Sequence, residues 1–483
     1  MARGIGAIGG VAYIGASFGL ALACHRVNRQ LFDDEVLTLS AIEGKSFVTL
    51  ARYYIEGGDV HPPLSFLWFR LLHMFDLSLD VQRAISFALA AAGFALVLDL
   101  VWKRLPRRSL GSELLALALF LGAPLLYGTG DALRWYPLFT FLIAASFWTT
   151  FNAGRPTLLA ALLLGLAADT SYLAALPALA YAIWRYAIER RLDPLRDLSF
   201  WLIAAIVAAP GLLSFFAARD LLTVQLSSSL LVSVGTDMLG LAGGTILGVM
   251  QSLIAIPLAI VFILGLVSAF AAPGRGYGGD LRGFGALLGL ATLAVMLLGH
   301  DKPRSFLFVM PWICAVAVLG GAAWRRPLVL AAPAIAASIA VVALQILVGP
   351  HNDRPFKRNT AVPLDAVLAY TNHQSQGRTL IVSAEPVSGY TLKSDTTRCI
   401  YVRSLAGPCQ PDTLDDFTSV IVIDDGTLQN DSRLSDVVER YTRTKPLAEQ
   451  QRFGEDRDAS LKTRLTGVAL PDYLVEISVY RLN

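Results

Sequence analysis

Three consecutive carboxylates and a histidine stand near the beginning of the chain. The acids are Asp33, Asp34 and Glu35, and the histidine opens the segment His61-Pro62-Pro63-Leu64. A carboxylate can accept the proton of an attacking hydroxyl, and carboxylate oxygens together with an imidazole nitrogen can bind a divalent cation. These residues therefore indicate acid–base catalysis or metal binding, and a solvated loop without chemistry is the alternative.

The elements that must position these residues are membrane helices. Hydrophobic residues make up 55% of the 483 residues and charged residues only 16%, against about 25% charged residues in soluble domains. The net charge of +3 is too small to indicate a nucleic-acid partner. The composition predicts a polytopic α-helical membrane protein whose partners are membrane lipids or lipid-linked molecules.

Apolar stretches of membrane-spanning character recur along the first part of the chain and predict about eleven crossings, the one at 157–169 being short. They cover residues 5–24, 82–102, 112–128, 136–151, 157–169, 172–188, 198–217, 242–271, 283–299, 305–323 and 327–348.

Basic residues predict the orientation of these spans. If the N-terminus is cytoplasmic, the basic loops fall on the cytoplasmic side, as the positive-inside rule requires. These loops are 103–108, 185–196, 273–282 and 324–326. The acidic loop and the C-terminal segment are then extracytoplasmic. Cleavage after Ala23 as a signal peptide is an alternative to a retained first helix.

The sequence predicts two domains. Residues 1–349 form the transmembrane domain, whose first outer loop, 25–81, carries two or three juxtamembrane helices. Residues 350–483 form a small extracytoplasmic α/β domain with strands near 379–383, 399–402, 419–423 and 473–482 and a helix at 434–442. Cys399 and Cys409 could form a disulfide there, and Asp424-Asp425 at a strand end is expected to face water rather than bind a cation.

Five short segments resemble, in order, landmarks of the GT-C superfamily of membrane glycosyltransferases. The nearest resemblance is to the bacterial branch of lipopolysaccharide-core galacturonosyltransferases, protein O-mannosyltransferases and lipid A aminoarabinose transferases. The segments are Asp34-Glu35, His61 to Leu64, Tyr127 to Tyr136 (YGTGDALRWY), Asp169 to Tyr172, and Lys302 to Pro311.

The resemblance implies an inverting transferase in the bacterial cytoplasmic membrane. Such an enzyme passes a sugar from a polyprenyl-phosphate donor to a glycan, lipid or protein acceptor on the outer face. Asp34 matches the catalytic carboxylate and Glu35 the second acid, while the adjacent Asp33 leaves the assignment ambiguous by one residue. A lipid-linked sugar flippase or transporter, or a non-catalytic scaffold, is the alternative.

Cations near the departing phosphate would stabilise its developing charge. Arg134, Lys302, Arg304 and His61 are the candidates for this role. Asp131 and Tyr136 are candidate substrate contacts. The alternatives are a helical ion pair between Asp131 and Arg134, lipid-headgroup contacts for Lys302 and Arg304, and an interfacial position for Tyr136. No cofactor is certain, and a divalent metal on Asp34, Glu35 and His61 stays open.

Overall fold

The chain divides into two compact units in the computed structural model. The helical unit comprises Met1–Asn28 and Gly44–Pro350, and the sheet unit comprises Arg29–Glu43 and His351–Asn483. The structure describes residues 2–23, 33–43, 45–56, 61–105, 109–218, 267, 279–297, 303–322, 327–348, 364–375, 377–384, 386–392, 398–402, 417–425, 428, 432–443, 445–453 and 475–481.

Helices of the helical unit lie where the apolar stretches predict them, and the predicted span 242–271 falls almost entirely outside the described residues. The helices are α1 (Ala2–Ala23), α3 (Phe47–Ile55), α4 (Leu64–Met74), α5 (Leu79–Arg104), α6 (Leu110–Leu121), α7 (Pro124–Thr129), α8 (Trp135–Ala153), α9 (Leu158–Ala168), α10 (Ala175–Ala182), α11 (Pro194–Val207), α12 (Ala209–Ala218), α13 (Gly279–Leu297), α14 (Met310–Gly321) and α15 (Pro327–Val348). Tighter or wider helical turns cover Tyr172–Ala174, Ile183–Ile188 and Pro303–Val309.

Hydroxyl side chains start several of these helices. Ser46, Ser78, Ser109 and Thr157 each accept a hydrogen bond from the backbone N–H three residues ahead, at α3, α5, α6 and α9. Such caps satisfy N–H groups that have no partner within the helix. The starts of these helices are therefore encoded locally.

The interior of the helical unit is built around α8. This helix packs against α5, α9 and the 303–309 segment. Gly93 of α5 permits the close approach, since a Cβ there would stand 3.1 Å from the carbonyl oxygen of Thr140. Further along α8, Phe147 and Phe151 meet Phe284 and Trp312 in one aromatic cluster.

Few of the described helices are both long and apolar enough to cross a bilayer unaided. Leu79–Arg104 and the stretch Leu110–Tyr127 qualify, and Pro194–Val207 with Ala209–Ala217 is a third candidate bent by 55°. The count of about eleven crossings therefore stays a prediction, while the mostly helical architecture is confirmed.

The sheet unit is a five-stranded mixed sheet with helices. Its elements are α2 (Asp33–Ile42), α16 (Leu364–Gln374), β1 (Thr379–Ser383), α17 (Pro386–Thr391), β2 (Arg398–Val402), β3 (Ser419–Asp424), α18 (Ser432–Thr442), β4 (Leu447–Phe453) and β5 (Val475–Arg481). The strand order is β2-β1-β3-β5-β4, with β2, β1 and β3 parallel and the last two pairings antiparallel.

Alternation along the strands gives the sheet two buried faces. Ile381 and Ile421 pack on one face with Leu392, and Leu380 and Val420 pack on the other with Leu434. The predicted small α/β domain is confirmed in its strands and in the helix near 434–442. Strand β4 was not predicted, because it is an exposed edge strand with no apolar alternation.

The sheet unit contains a predicted disulfide cysteine and the two predicted strand-end acids. Cys399 is disulfide-bonded, while its predicted partner Cys409 lies outside the described residues. Asp425 is only 2% exposed, so it does not face water as expected, and Asp424 Oδ1 accepts the backbone N–H of Leu428 at 3.1 Å.

Candidate active site

The three predicted catalytic acids begin helix α2 of the sheet unit. Asp33 is its first helical residue, followed by Asp34 and Glu35. Negative charge is favourable at a helix N-terminus because the unpaired N–H groups there carry partial positive charge. Glu35 is fully buried, whereas the side chains of Asp33 and Asp34 lie outside the described part of the structure.

His61 lies at the start of α4 in the helical unit. Its half-buried ring meets Phe66 edge-on, with ring centroids 6.3 Å apart, and Phe66 stacks on Tyr54 at 4.2 Å. The two prolines stand just before α4, with Pro63 as its N-cap. Proline has no backbone N–H to donate, so it is well accommodated just before a helix begins.

The turn at Asp169 holds the beginning of α4. The backbone N–H of Leu64 donates to the carbonyl oxygen of Asp169 at 3.0 Å. The carboxyl group of Asp169 is itself buried, and its Oδ1 accepts no hydrogen bond from the described residues. Burial raises the pKa of Asp169 from 3.8 to about 7.

The same turn also contacts α12. The hydroxyl of Tyr172 donates to that of Ser214 at 3.2 Å, and the Tyr172 ring meets Phe215 edge-on at 5.1 Å. Helix α12 packs in turn against α3. Two segments singled out in the sequence, 61–64 and 169–172, are thus brought together near α3, α4 and α12.

The segment Tyr127 to Tyr136 forms the end of α7, a turn and the start of α8. Asp131 is fully buried, and Arg134 and Tyr136 are 8% and 3% exposed. Residues 131–134 form a turn, and Arg134 is extended at φ −139°, ψ 176°. The alternative ion pair between Asp131 and Arg134 would therefore form across a turn rather than along a helix, and it stays an alternative. A buried guanidinium in a membrane domain is costly and commonly functional.

The segment 303–309 packs against both α7 and α8. Phe308 meets Phe139 of α8 edge-on, with centroids 4.7 Å apart. The structure thus joins two more of the predicted segments, 127–136 and 303–309. Of the predicted cations here, Lys302 lies outside the described residues, and so does the side chain of Arg304.

Arg83 was not predicted from the sequence. This arginine of α5 is 1% exposed, and its Nη1 stands 3.5 Å from Asp80 Oδ1. One helical turn further on, Phe87 meets Tyr127 of the candidate site at 6.1 Å. The sequence did contain a signal for Arg83, namely a charged residue at the start of an otherwise apolar span. Averaging the hydropathy over a window of residues conceals such a single charge.

No group of three or more His, Cys, Asp and Glu residues that could hold a metal ion occurs among the described residues. Glu35 and His61, two of the three candidate ligands, belong to different units. Because the side chain of Asp34 lies outside the described part of the structure, a divalent metal on Asp34, Glu35 and His61 stays a prediction.

Solved structures provide the comparison that decides the fold. No family model and no curated protein matches the sequence. ArnT from Cupriavidus metallidurans in the apo state matches with a TM-score of 0.59 and 11% identity over 97% of each chain. The undecaprenyl phosphate-bound form of ArnT matches over the same shares, with a TM-score of 0.57 and 11% identity.

This chain shares the fold of ArnT. The arabinofuranosyltransferase AftD from mycobacteria also matches, with a TM-score of 0.55 and 18% identity over 98% of this chain and 40% of AftD. The resemblance seen in the short motifs is thus confirmed for the fold. Because the ArnT matches span 97% of this chain, the likeness in fold includes the sheet unit as well as the helical unit.

Proposed function

We propose that the protein is an inverting glycosyltransferase. It moves a sugar from a polyprenyl-phosphate donor to a glycan, lipid or protein acceptor of the bacterial cell envelope. The observation that carries this proposal is the fold match to ArnT over 97% of both chains. One of those ArnT structures is bound to undecaprenyl phosphate, which is the lipid that the reaction would release.

The carboxylates of α2 supply the base. Attack of an acceptor hydroxyl on the anomeric carbon requires a group that accepts its proton as the new bond forms. Asp34 has this role, with Glu35 as the second acid and Asp33 as the neighbouring candidate. Direct displacement of the polyprenyl phosphate inverts the anomeric centre.

The cations supply the other half of the catalysis. The departing phosphate gains negative charge, and fixed positive charge at that place lowers the barrier. Arg134 is well suited, because a buried guanidinium presents two N–H groups in a fixed fork that matches phosphate oxygens. Lys302, Arg304 and His61 are further proposed donor contacts, and Asp131 and Tyr136 are proposed substrate contacts.

The proposed location is the cytoplasmic membrane, with a cytoplasmic N-terminus and the α/β domain outside. The apolar helices and the distribution of Lys and Arg support this orientation. In this arrangement residues 1–349 form the transmembrane domain, apart from residues 29–43, which cluster with the sheet unit, and residues 350–483 form the extracytoplasmic domain.

The decisive experiment is a transfer assay on the purified protein in lipid nanodiscs. The donors are undecaprenyl-phosphate-linked hexoses, pentoses and uronic acids, each tested with and without chelator. Asp34→Asn should lower turnover by about 100-fold or more, with donor binding retained. Asp33→Asn resolves the one-residue ambiguity, and Glu43→Gln, which removes an exposed carboxylate just after α2, is the matched control.

Two results would overturn the proposal. One is a folded wild-type protein that turns over none of the donors, which would favour the flippase or scaffold interpretation. The other is full activity in both Asp34→Asn and Asp33→Asn.

A further inference from the structure

Helix α2 belongs to the sheet unit although it lies far from that unit in the sequence. Residues 29–43 cluster with residues 351–483 rather than with the flanking helices of the first half. Within the sheet unit, α2 packs against α17. The segment with the proposed catalytic acids is therefore integrated into the C-terminal domain.

Helix α17 is itself packed against several other elements of the sheet unit. It begins shortly after β1 ends and packs against α16, β1 and β2. Ser388 within it is fully buried. Leu392, just after the helix, belongs to the hydrophobic core beneath the sheet. Packed cores transmit displacement rather than absorb it, so a shift of α17 would shift α2.

Helix α2 depends on such packing for its position. It has ten residues, and isolated helices of this length are barely stable in water. Glu35, Thr38, Leu39 and Ile42 fall on one helical face, and each is at most 3% exposed. The orientation of the N-terminal carboxylates is thus set by what this face packs against.

We infer that the C-terminal domain acts in catalysis by positioning α2 through α17, with Leu39 as a positioning residue. This inference rests on the proposed function, because it assigns the catalytic carboxylates to α2. It gives the C-terminal domain a direct part in turnover.

The inference is tested by comparing Leu39→Ala with the control variant Leu434→Ala. Leu434 is equally buried in the sheet unit but lies in α18 and packs on the other face of the sheet. Leu39→Ala should lower kcat by about tenfold or more, because small misplacements of catalytic groups are expensive. The donor KM should change less than about twofold, and the acidic limb of the kcat–pH profile should shift.

Controls separate positioning from general instability. Leu434→Ala should lower the melting temperature comparably while keeping kcat within about twofold of wild type. Leu39→Met should restore most of the kcat, since it refills the volume. Equal kcat losses in Leu39→Ala and Leu434→Ala would overturn the inference while leaving the proposed function intact.

Hydrogen exchange provides a readout that needs no activity. Enlarging the buried Ser388 of α17 in Ser388→Phe should increase amide exchange in residues 33–42, whereas Leu434→Ala should not. Unchanged protection of α2 in a folded Ser388→Phe protein would refute the coupling even if no donor were ever turned over.

Discussion

The backbone N–H of Leu64 donates to the backbone carbonyl of Asp169 at 3.0 Å. This bond joins the first residue of α4 to the residue that ends α9. It satisfies an N–H that the helix itself leaves unpaired, where Pro63 offers no side-chain cap. Two of the segments singled out in the sequence, 61–64 and 169–172, therefore have their relative position fixed by main-chain atoms, which side-chain substitution does not remove.

Asp169→Asn should change how stability depends on pH. The carboxyl has a pKa of about 7 in the folded protein and about 3.8 when exposed. Between these values the folded state binds more protons than the unfolded state, so the free energy of unfolding falls as pH rises from about 4 to about 7. The apparent melting temperature of the wild type should therefore fall across this window.

The amide in Asp169→Asn cannot ionise. The free energy of unfolding of this variant should therefore fall much less as the pH rises, and the variant should be more stable than wild type near pH 8. Thermal unfolding in detergent at several pH values measures the difference. Parallel pH profiles for the two proteins would show that Asp169 does not titrate in this range.

Gly211→Ala should wedge α12 away from the Asp169 turn. The new Cβ would stand 3.0 Å from both the carbonyl oxygen of Ala168 and Asp169 Oδ1. Overpacking of this kind costs about 1 to 3 kcal/mol. Gly289→Ala in α13 is the matched control, because among the described residues no atom outside its own stretch of helix lies within 4 Å of its Cβ position. It should be neutral or slightly stabilising, and equal melting temperatures for the two variants would contradict the predicted crowding.

Arg134→Ala should impair use of the donor. Loss of a charge-assisted contact costs about 1.5 to 3 kcal/mol in kcat/KM. Arg134→Lys keeps the charge but loses the guanidinium fork, so its effect should be intermediate. Arg104→Ala is the control, since it removes a largely buried arginine paired at 3.0 Å with Asp280 and should affect stability rather than donor kinetics. Unchanged kinetics in Arg134→Ala would exclude a role in phosphate binding.

Cys399 should pair with Cys409. This disulfide would close the short loop from Cys399 to Cys409, and its loss should lower the free energy of unfolding by roughly 2 to 3 kcal/mol. Cys399→Ser and Cys409→Ser should therefore destabilise the protein equally, and Cys24→Ser should not. Alkylation under non-reducing conditions, read by mass spectrometry, should label Cys24 but neither Cys399 nor Cys409. Protection of Cys24 instead would identify a different partner.

Local sequence patterns anticipated most elements of the fold. Apolar stretches predicted the places of the helices, and β-rich runs predicted four of the five strands. Residue types near 33–35, 61–64, 127–136 and 302–311 also indicated a GT-C transferase. In each case the signal resides in neighbouring residues, because hydropathy and the two- or three-to-four-residue periodicity are local properties.

Tertiary packing decided what the local patterns leave open. Hydropathy could not show that Arg83 is buried, that Asp169 holds α4, or that β4 completes the sheet edge. Least of all could it place α2 with a domain that begins some three hundred residues later. Sequence alone determined most of the helices, four of the five strands and most of the residues that could do chemistry. Contacts between distant segments depend on how whole faces fit together, so only the tertiary structure decided which element supports the acids.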